Sequence, residues 1–370
     1  MSRISPKTAA FIYHGSSGVP GGYTAKFVEG LARHAHVHAF VNCGYVYPHD
    51  RSSISIHRFF FPITDKFFTR KTLLRRIIRL AELAVGYAMT VCYLAFLRAD
   101  YVIYSPITNL WISRRFVSLA KWLSGRLAVV VHDSQSHYDV AERYRDAIYK
   151  DADVLVLHNN HSLDALKQRL DVSGVELLAP FPWSLHTLPA HRSVLRHNVL
   201  LIGHVRPSKG IDFLLDAFPK YQRVGGSLDL AVTGSMPSLD IFKRIDEVAG
   251  RVINSTLGDQ EFLDEMADSK FLIMPYRPGY SNSSVHYCAA IHCGTPFICS
   301  DIDLFSVFEH GVDCIKFTYG DVDSFISALR MAEGIGDAAR KQMSDNALEK
   351  MRVDMHDFDV RIGALFQDAG

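Results

Sequence analysis

The stretch "VLLIGHVRPSKGIDFLLDAF", residues 199–218, decides the fold. Four consecutive apolar residues, Val199 to Ile202, end at Gly203, and an amphipathic helical pattern begins after Gly210. A short run that is apolar on both faces and leads into a helix is the unit of a parallel sheet covered by helices on each side. Between strand and helix stand His204, Arg206 and Lys209. Two cations and a histidine at the mouth of a sheet suit a diphosphate, whose charge they would neutralise. A solvated turn would carry the same residues equally well.

The same alternation runs along the chain. "AAFIYHG", "HVHAFVN", "ISIHRF", "DYVIYS", "LAVVVHD" and "DVLVLH" read as strands in the first half. "NVLLIGHV", "LDLAVTG", "KFLIMPY", "PFICSD" and "CIKF" follow in the second. With 370 residues, too many for one ordinary core, two doubly wound α/β domains are predicted. Three prolines in "APFPWSLHTLPAHRSVLRHN" interrupt any regular element there. They place a first domain over 1–188, a second over 189–350 and a closing helical segment over 351–370. Ligands of such sheets bind at the carboxyl ends of the strands, so the loops there hold the candidates.

The first such loop, "YHGSSGVPGGYTAKFVEGLARH", carries Gly21 and Gly22 ahead of a helix expected from about Tyr23. Glycines let a backbone approach a ligand closely. The GxGxxG spacing fails, because Ser17 and Pro20 occupy its third and sixth places counted from Gly15. The second strand ends in Asn42 and Cys43 without an acid, which disfavours an NAD-dependent oxidoreductase. In "VVVHDSQSHYDV", His132 and Asp133 stand where an acid, a base or a sugar-hydroxyl ligand would be placed, or where a helix is merely capped. In "YSNSSVHYCAAIHCGTPFICSD", Ser281, Asn282, Ser283 and Ser284 precede a short helical run. One of them suffices as a cap; the surplus suits an anion at a helix N-terminus, phosphate above all.

Composition removes other classes. Forty Lys and Arg balance thirty-nine Asp and Glu, a net charge of +1, so no basic field points to nucleic acid. Six cysteines without a CxxC pair read as buried free thiols in a reducing cytoplasm rather than zinc ligands or disulfides. The opening fifteen residues lack a signal-peptide core, so export is not expected. No acidic cluster suggests a metal.

Taken in order, these motifs resemble the retaining glycosyltransferases of the GT-B fold, family 4 (group 1). The matching residues are Gly21 and Gly22, His132, the segment "GHVRPSKG", Pro275 with Tyr276, and "CGTPF". The resemblance implies two Rossmann-like domains facing a cleft, a last helix returning to the first domain, and a nucleotide-sugar donor as substrate with no cofactor. It assigns the donor's diphosphate to Gly203, His204, Arg206 and Lys209. It sets Thr233, Gly234, Leu257, Gly258 and Glu261 beside the nucleotide. Tyr276 and Ser281 to Ser284 fall to the sugar and phosphates and His132 to the reacting centre, while Asp133 is the carboxylate that an inverting transferase would use as its base. Two departures stand out. The family's arginine after Gly203 is His204, with Arg206 as its substitute, and the family's paired glutamates fall on Ser281 and Ala289. Their absence leaves retention or inversion open, and admits a non-catalytic nucleotide-sugar or glycan-binding protein as a second reading.

One further region is unusual. In "FFTRKTLLRRIIRLAELAVGYAMTVCYLAFLRADYVIY", Leu73, Leu74, Ile77, Ile78, Ala81, Ala84 and Val85 share one helical face opposite Arg75, Arg76 and Arg79. The charge-free run from Leu83 to Leu97 is shorter than the roughly 20 residues of a span. An ordinary buried helix would account for it. With "WISRRFVSLAKWLSGR" it also fits a basic interfacial surface. Residues 67–98 and 111–126 are therefore expected at a membrane. The combined expectation is a cytoplasmic, metal-independent hexosyltransferase, peripheral at the inner membrane face. It would serve bacterial polysaccharide synthesis with a saccharide or lipid-linked saccharide acceptor.

Overall fold

The computed structural model describes residues 7–15, 20–47, 49, 52–68, 72–105, 110–131, 139–172, 176–183, 196–280 and 283–367. The chain forms two compact units, Met1–His186 with Asp354–Gly370, and Thr187–Val353.

Unit 1 runs β1 (Thr8–Tyr13), α1 (Pro20–Leu31), β2 (His36–Asn42), β3 (Ile54–Phe60), α2 (Thr64–Phe67), α3 (Leu73–Leu97) and β4 (Tyr101–Tyr104). It continues with α4 (Leu110–Leu123), β5 (Arg126–Val130), α5 (Asp139–Asp151), β6 (Val154–Leu157), α6 (Asn160–Lys167) and β7 (Glu176–Leu178). The sheet order is β3-β2-β1-β4-β5-β6-β7, and every pairing is parallel. The central strands β4 and β6 are buried at every residue, as strands with helices on both faces must be.

Unit 2 runs β8 (Arg196–Ile202), α7 (Ile211–Arg223), β9 (Asp229–Thr233), α8 (Leu239–Asp246), β10 (Arg251–Ile253), α9 (Asp259–Ala267) and β11 (Ser269–Met274). Then come α10 (Val285–Tyr287), β12 (Phe297–Ser300), β13 (Ile315–Phe317), α11 (Val322–Gly334) and α12 (Asp337–Arg361). Its parallel sheet has the order β10-β9-β8-β11-β12-β13.

The last turns of α12 and the residues after it belong to unit 1. Asp359 holds Lys26 at 2.7 Å and Arg33 at 2.9 Å, and Phe358 lies edge-on to Phe27. Gly30 makes room for that contact: a Cβ there would come within 2.8 Å of the Phe358 ring.

Several local expectations are corrected. Helix α1 starts at Pro20, not Tyr23, because proline's fixed φ and missing N–H suit a first helical turn. Gly21 and Gly22 therefore belong to that turn. The run after Ser284 is α-helical only over α10 and continues as a π turn, Cys288–Cys293. Strands β7 and β10 lie outside the eleven apolar runs; each has three half-buried residues at a sheet edge. Cys43 is half-buried and Cys92 exposed, while the other four thiols are buried.

Candidate functional site

In unit 2 the loop after β8 is pressed between its neighbours. The Gly203 N–H donates to Thr233 O at 2.9 Å. Gly234, with φ of +146°, sits so close that a Cβ there would lie 1.9 Å from Gly203 O. Gly210 has φ of +69°, and its Cβ would lie 1.6 Å from Pro275 O. Only glycine fits either place. The loop is thereby fixed against the ends of β9 and β11.

That fixture sets two cations. Lys209 ends a 3₁₀ turn, Pro207–Lys209, and turns inward until 5% of it is exposed. Its Nζ donates to Ile202 O at 2.8 Å and lies 5.8 Å from the centre of the Tyr276 ring. Burial, reinforced by the Arg206 charge, lowers its pKa to about 7. Desolvation disfavours the ammonium, so an arriving anion would restore the proton. Arg206 donates from Nη2 to the Tyr280 hydroxyl at 2.9 Å, its guanidinium 5.5 Å from that ring's centre. Tyr280 lies 4.5 Å from Tyr276, ring centre to ring centre. The Tyr276 and Ser283 hydroxyls are hydrogen-bonded at 3.5 Å, and Ser283 Oγ accepts from Val285 N–H at 3.2 Å. Gly203, Arg206, Lys209, Tyr276, Tyr280 and Ser283 thus form one cluster at the carboxyl ends of β8 and β11.

The other expected donor residues take separate stations. Thr233 is buried at the end of β9, its hydroxyl without a hydrogen-bond partner among the described residues. His204 is exposed and bonded through Nδ1 to Ser235 Oγ. Glu261 folds back to accept the Gly258 N–H at 3.0 Å, at the start of its own helix α9; Leu257 is half-buried beside it. Ser284 precedes α10 without a side-chain cap bond. The capping hydroxyl is that of Ser283. Ser281 and Asn282 lie outside the described residues, and Ala289 is buried inside the π turn.

Unit 1 presents different chemistry at the same sheet edge. A Cβ on Gly22 would meet the buried Trp183 ring at 3.1 Å. Next to it the Tyr23 hydroxyl and His158 Nε2 are hydrogen-bonded at 2.9 Å. The Tyr87 hydroxyl is shared among Tyr104 at 2.7 Å, His14 Nδ1 at 3.2 Å and Ser113 at 3.4 Å. Burial drives both histidines down to a pKa of about 4, with Arg79 assisting at His14, so both are neutral at pH 7. His132 and Asp133 lie outside the described residues. Tyr280, Tyr23, His158 and Tyr87 went unmarked in the sequence. Only Tyr280 had a signal there, an aromatic at the head of the Ser281–Ser284 run.

Residues 196–332 match the family model described as "Glycosyl transferases group 1". Among curated proteins no sequence matches. Among solved structures, sucrose-phosphate synthase from Thermosynechococcus elongatus superposes with a TM-score of 0.65 at 15% identity, over 97% of this chain and 98% of the other. Anabaena HepE, solved with UDP and glucose, gives 0.63 at 16% over 97% and 98%. An Escherichia coli protein described as trehalose-6-phosphate, bound to UDP-2-fluoro glucose, gives 0.63 at 12% over 98% and 99%. At these identities the likeness is one of fold, and that fold is GT-B.

Proposed function

We propose that this chain, with the GT-B fold and a second unit matched by the group 1 glycosyltransferase model, transfers a sugar from a nucleoside diphosphate sugar to a saccharide acceptor. The observation that carries this is the Arg206–Lys209 pair, held by Tyr280, Ile202 O and two close-packed glycines. Transfer breaks the bond between the sugar's anomeric carbon and the diphosphate. The leaving group gains negative charge as it departs, and fixed cations aimed at that charge lower the barrier. Lys209, close to half protonated near pH 7 without ligand, would become fully charged against the diphosphate.

Several finer features belong to the same reading. The donor is UDP- or GDP-linked; the UDP complexes of HepE and of the Escherichia coli protein favour the former. The transfer runs without a metal, the charge of the departing diphosphate being met by Arg206 and Lys209 instead. The reaction is retaining, with Asp133 the candidate base only for an inverting enzyme. The acceptor is a lipid-linked saccharide of bacterial polysaccharide synthesis, taken by unit 1 at the inner membrane face. In unit 2 the hydroxyls of Ser281, Ser283 and Ser284 and the amide of Asn282 would complete the donor site.

Calorimetric titration with UDP, GDP and NAD, with and without a chelator, tests the reading. One nucleoside diphosphate binding tightly in both conditions supports it; NAD binding alone overturns it. Tight nucleotide binding with no transfer to any acceptor would favour the non-catalytic binding protein, which Ser281 and Ala289 in place of the usual glutamates would then explain.

A further inference from the structure

The outer surface of α3 and α4 is apolar where a soluble helix would be polar. Of nineteen large hydrophobic side chains exposed among the described residues, twelve fall between Ile63 and Trp122. On α3 these are Leu73, Leu74, Ile77, Leu80, Val85, Met89 and Phe96, with Phe96 88% exposed; α4 adds Trp111, Leu119 and Trp122, the last 83% exposed. Single exposed hydrophobics are ordinary, but a continuous stripe marks an interaction face.

Charge selects the occupant. Helices α3 and α4 carry Arg75, Arg76, Arg79, Arg114, Arg115 and Lys121 against one acid, Glu82. That carboxylate is buried and accepts the N–H groups of Ile63 and Thr64 and the Thr64 hydroxyl. Asp65, Asp151 and Asp153 answer some of the cations. Arg76 and Arg115 pair with no carboxylate among the described residues, and Arg115 lies over the Trp111 ring. A second copy of the chain would set the same cations against each other across a two-fold interface. Anionic headgroups beside acyl chains complement both halves of the surface.

The burial pattern also decides between lying and spanning. Helix α3 has 25 residues and is apolar enough to cross a bilayer by length and composition alone. Its inner face is committed elsewhere: Leu83, Gly86, Tyr87, Thr90 and Leu94 are buried. A Cβ on Gly86 would come within 2.5 Å of the Phe60 ring, and the Tyr87 hydroxyl belongs to the buried network at β1 and β4. A span would have to withdraw these groups into lipid and leave β3 uncovered.

We propose that α3 and α4 lie in the plane of one leaflet of an anionic bilayer. Phe96, Met89, Leu73 and Trp122 enter the acyl boundary, and Arg76 and Arg115 meet lipid phosphates. This deepens the membrane part of the proposed function and rests on it. The full-length chain is sedimented with vesicles of phosphatidylcholine alone or mixed with phosphatidylglycerol. Binding to the mixed vesicles should be at least about tenfold stronger and should fall with added salt. Phe96→Ser with Trp122→Ser should weaken it by more than about tenfold, and Arg76→Glu with Arg115→Glu should abolish the anionic preference. Alkaline carbonate should release the bound chain. Four outcomes would overturn the proposal: equal binding to both vesicles, undiminished binding of the serine variant, retention after carbonate, or a dimer that the serine variant dissolves. Neither pair touches the Arg206–Lys209 site, so UDP titration of the same variants reports separately on the sugar-transfer reading.

Discussion

At the carboxyl edge of the unit 2 sheet, a lysine and an arginine are held by tyrosines and a backbone carbonyl. At the carboxyl edge of the unit 1 sheet two buried networks are neutral, His14, Tyr87, Tyr104 and Ser113 in one and Tyr23 with His158 in the other. The charged Glu82, Asp65 and Arg79 gather after β3. The sheets are alike in being wholly parallel. A parallel sheet places a site; the residues entering its loops choose the ligand's charge. Under the proposed function, unit 2 would meet the donor's anion, and the two neutral networks of unit 1 an uncharged, hydroxyl-rich acceptor.

The largest test of that contrast is Lys209→Ala, expected to lower single-turnover sugar transfer by roughly two to three orders of magnitude. Its melting temperature should stay close to wild type, because the change removes a buried charge that folding tolerates at a cost. Transfer at the wild-type rate would falsify the site assignment.

Next comes proton linkage. With Lys209 at about pKa 7 in the free protein, the fraction able to meet a diphosphate as a cation falls as pH rises above 7. UDP affinity should therefore weaken through pH 8, and the binding enthalpy there should vary with buffer as about one proton is taken up. Lys209→Met should erase the buffer dependence. In unit 1 the sign concerns stability. His14 and His158 have folded pKa values of about 4 against 6.5 for the free side chain. The unfolded chain binds protons first, so stability is fully present above pH 6.5 and drains away as pH falls towards 4. Urea midpoints across this range should fall by a few kcal/mol in free-energy terms, and His14→Gln should flatten the slope.

A matched pair sharpens the comparison further. Tyr280→Phe should weaken UDP binding by about tenfold, since Arg206 loses a hydrogen bond made by a charged donor. Tyr23→Phe should leave UDP binding unchanged and lower unit 1 stability by about 1 kcal/mol, read from its own urea midpoint. The smallest effect belongs to Asp133→Asn. In a retaining enzyme, transfer should change by only a few-fold. A loss comparable to that of Lys209→Ala would make Asp133 the base of an inverting one.

Most of the architecture was legible because β1, β4, β6, β8, β11 and β12 are apolar on both faces and end in glycine, polar or proline-led loops. Strands β7 and β10 were not, since three half-buried residues at an edge carry no period. The site was legible as charge: Arg206 and Lys209 stand together in sequence and in space. Its tyrosine scaffold was not, because Tyr280 reaches Arg206 from seventy-four residues away. The outward face of α3 was legible only as one of two readings, an ordinary buried helix or a basic interfacial one. An apolar helical stripe signals burial in most proteins, and here the inward side is the one with Glu82, Gly86, Tyr87 and Thr90.

The π turn at Cys288–Cys293 bears on how this chain is aligned with others. Such a turn carries one residue more than the α turn it replaces. Against any relative whose helix is α throughout, a gapless alignment anchored on Gly294 displaces every position before the turn by one. With the extra residue counted, the first of the two acidic places moves from Ser281 to Tyr280. The carboxylate that the resemblance leads one to expect and the phenol that holds Arg206 would then occupy the same column. Placing a gap inside the turn, rather than forcing a match through it, changes which residue is compared with the missing acid.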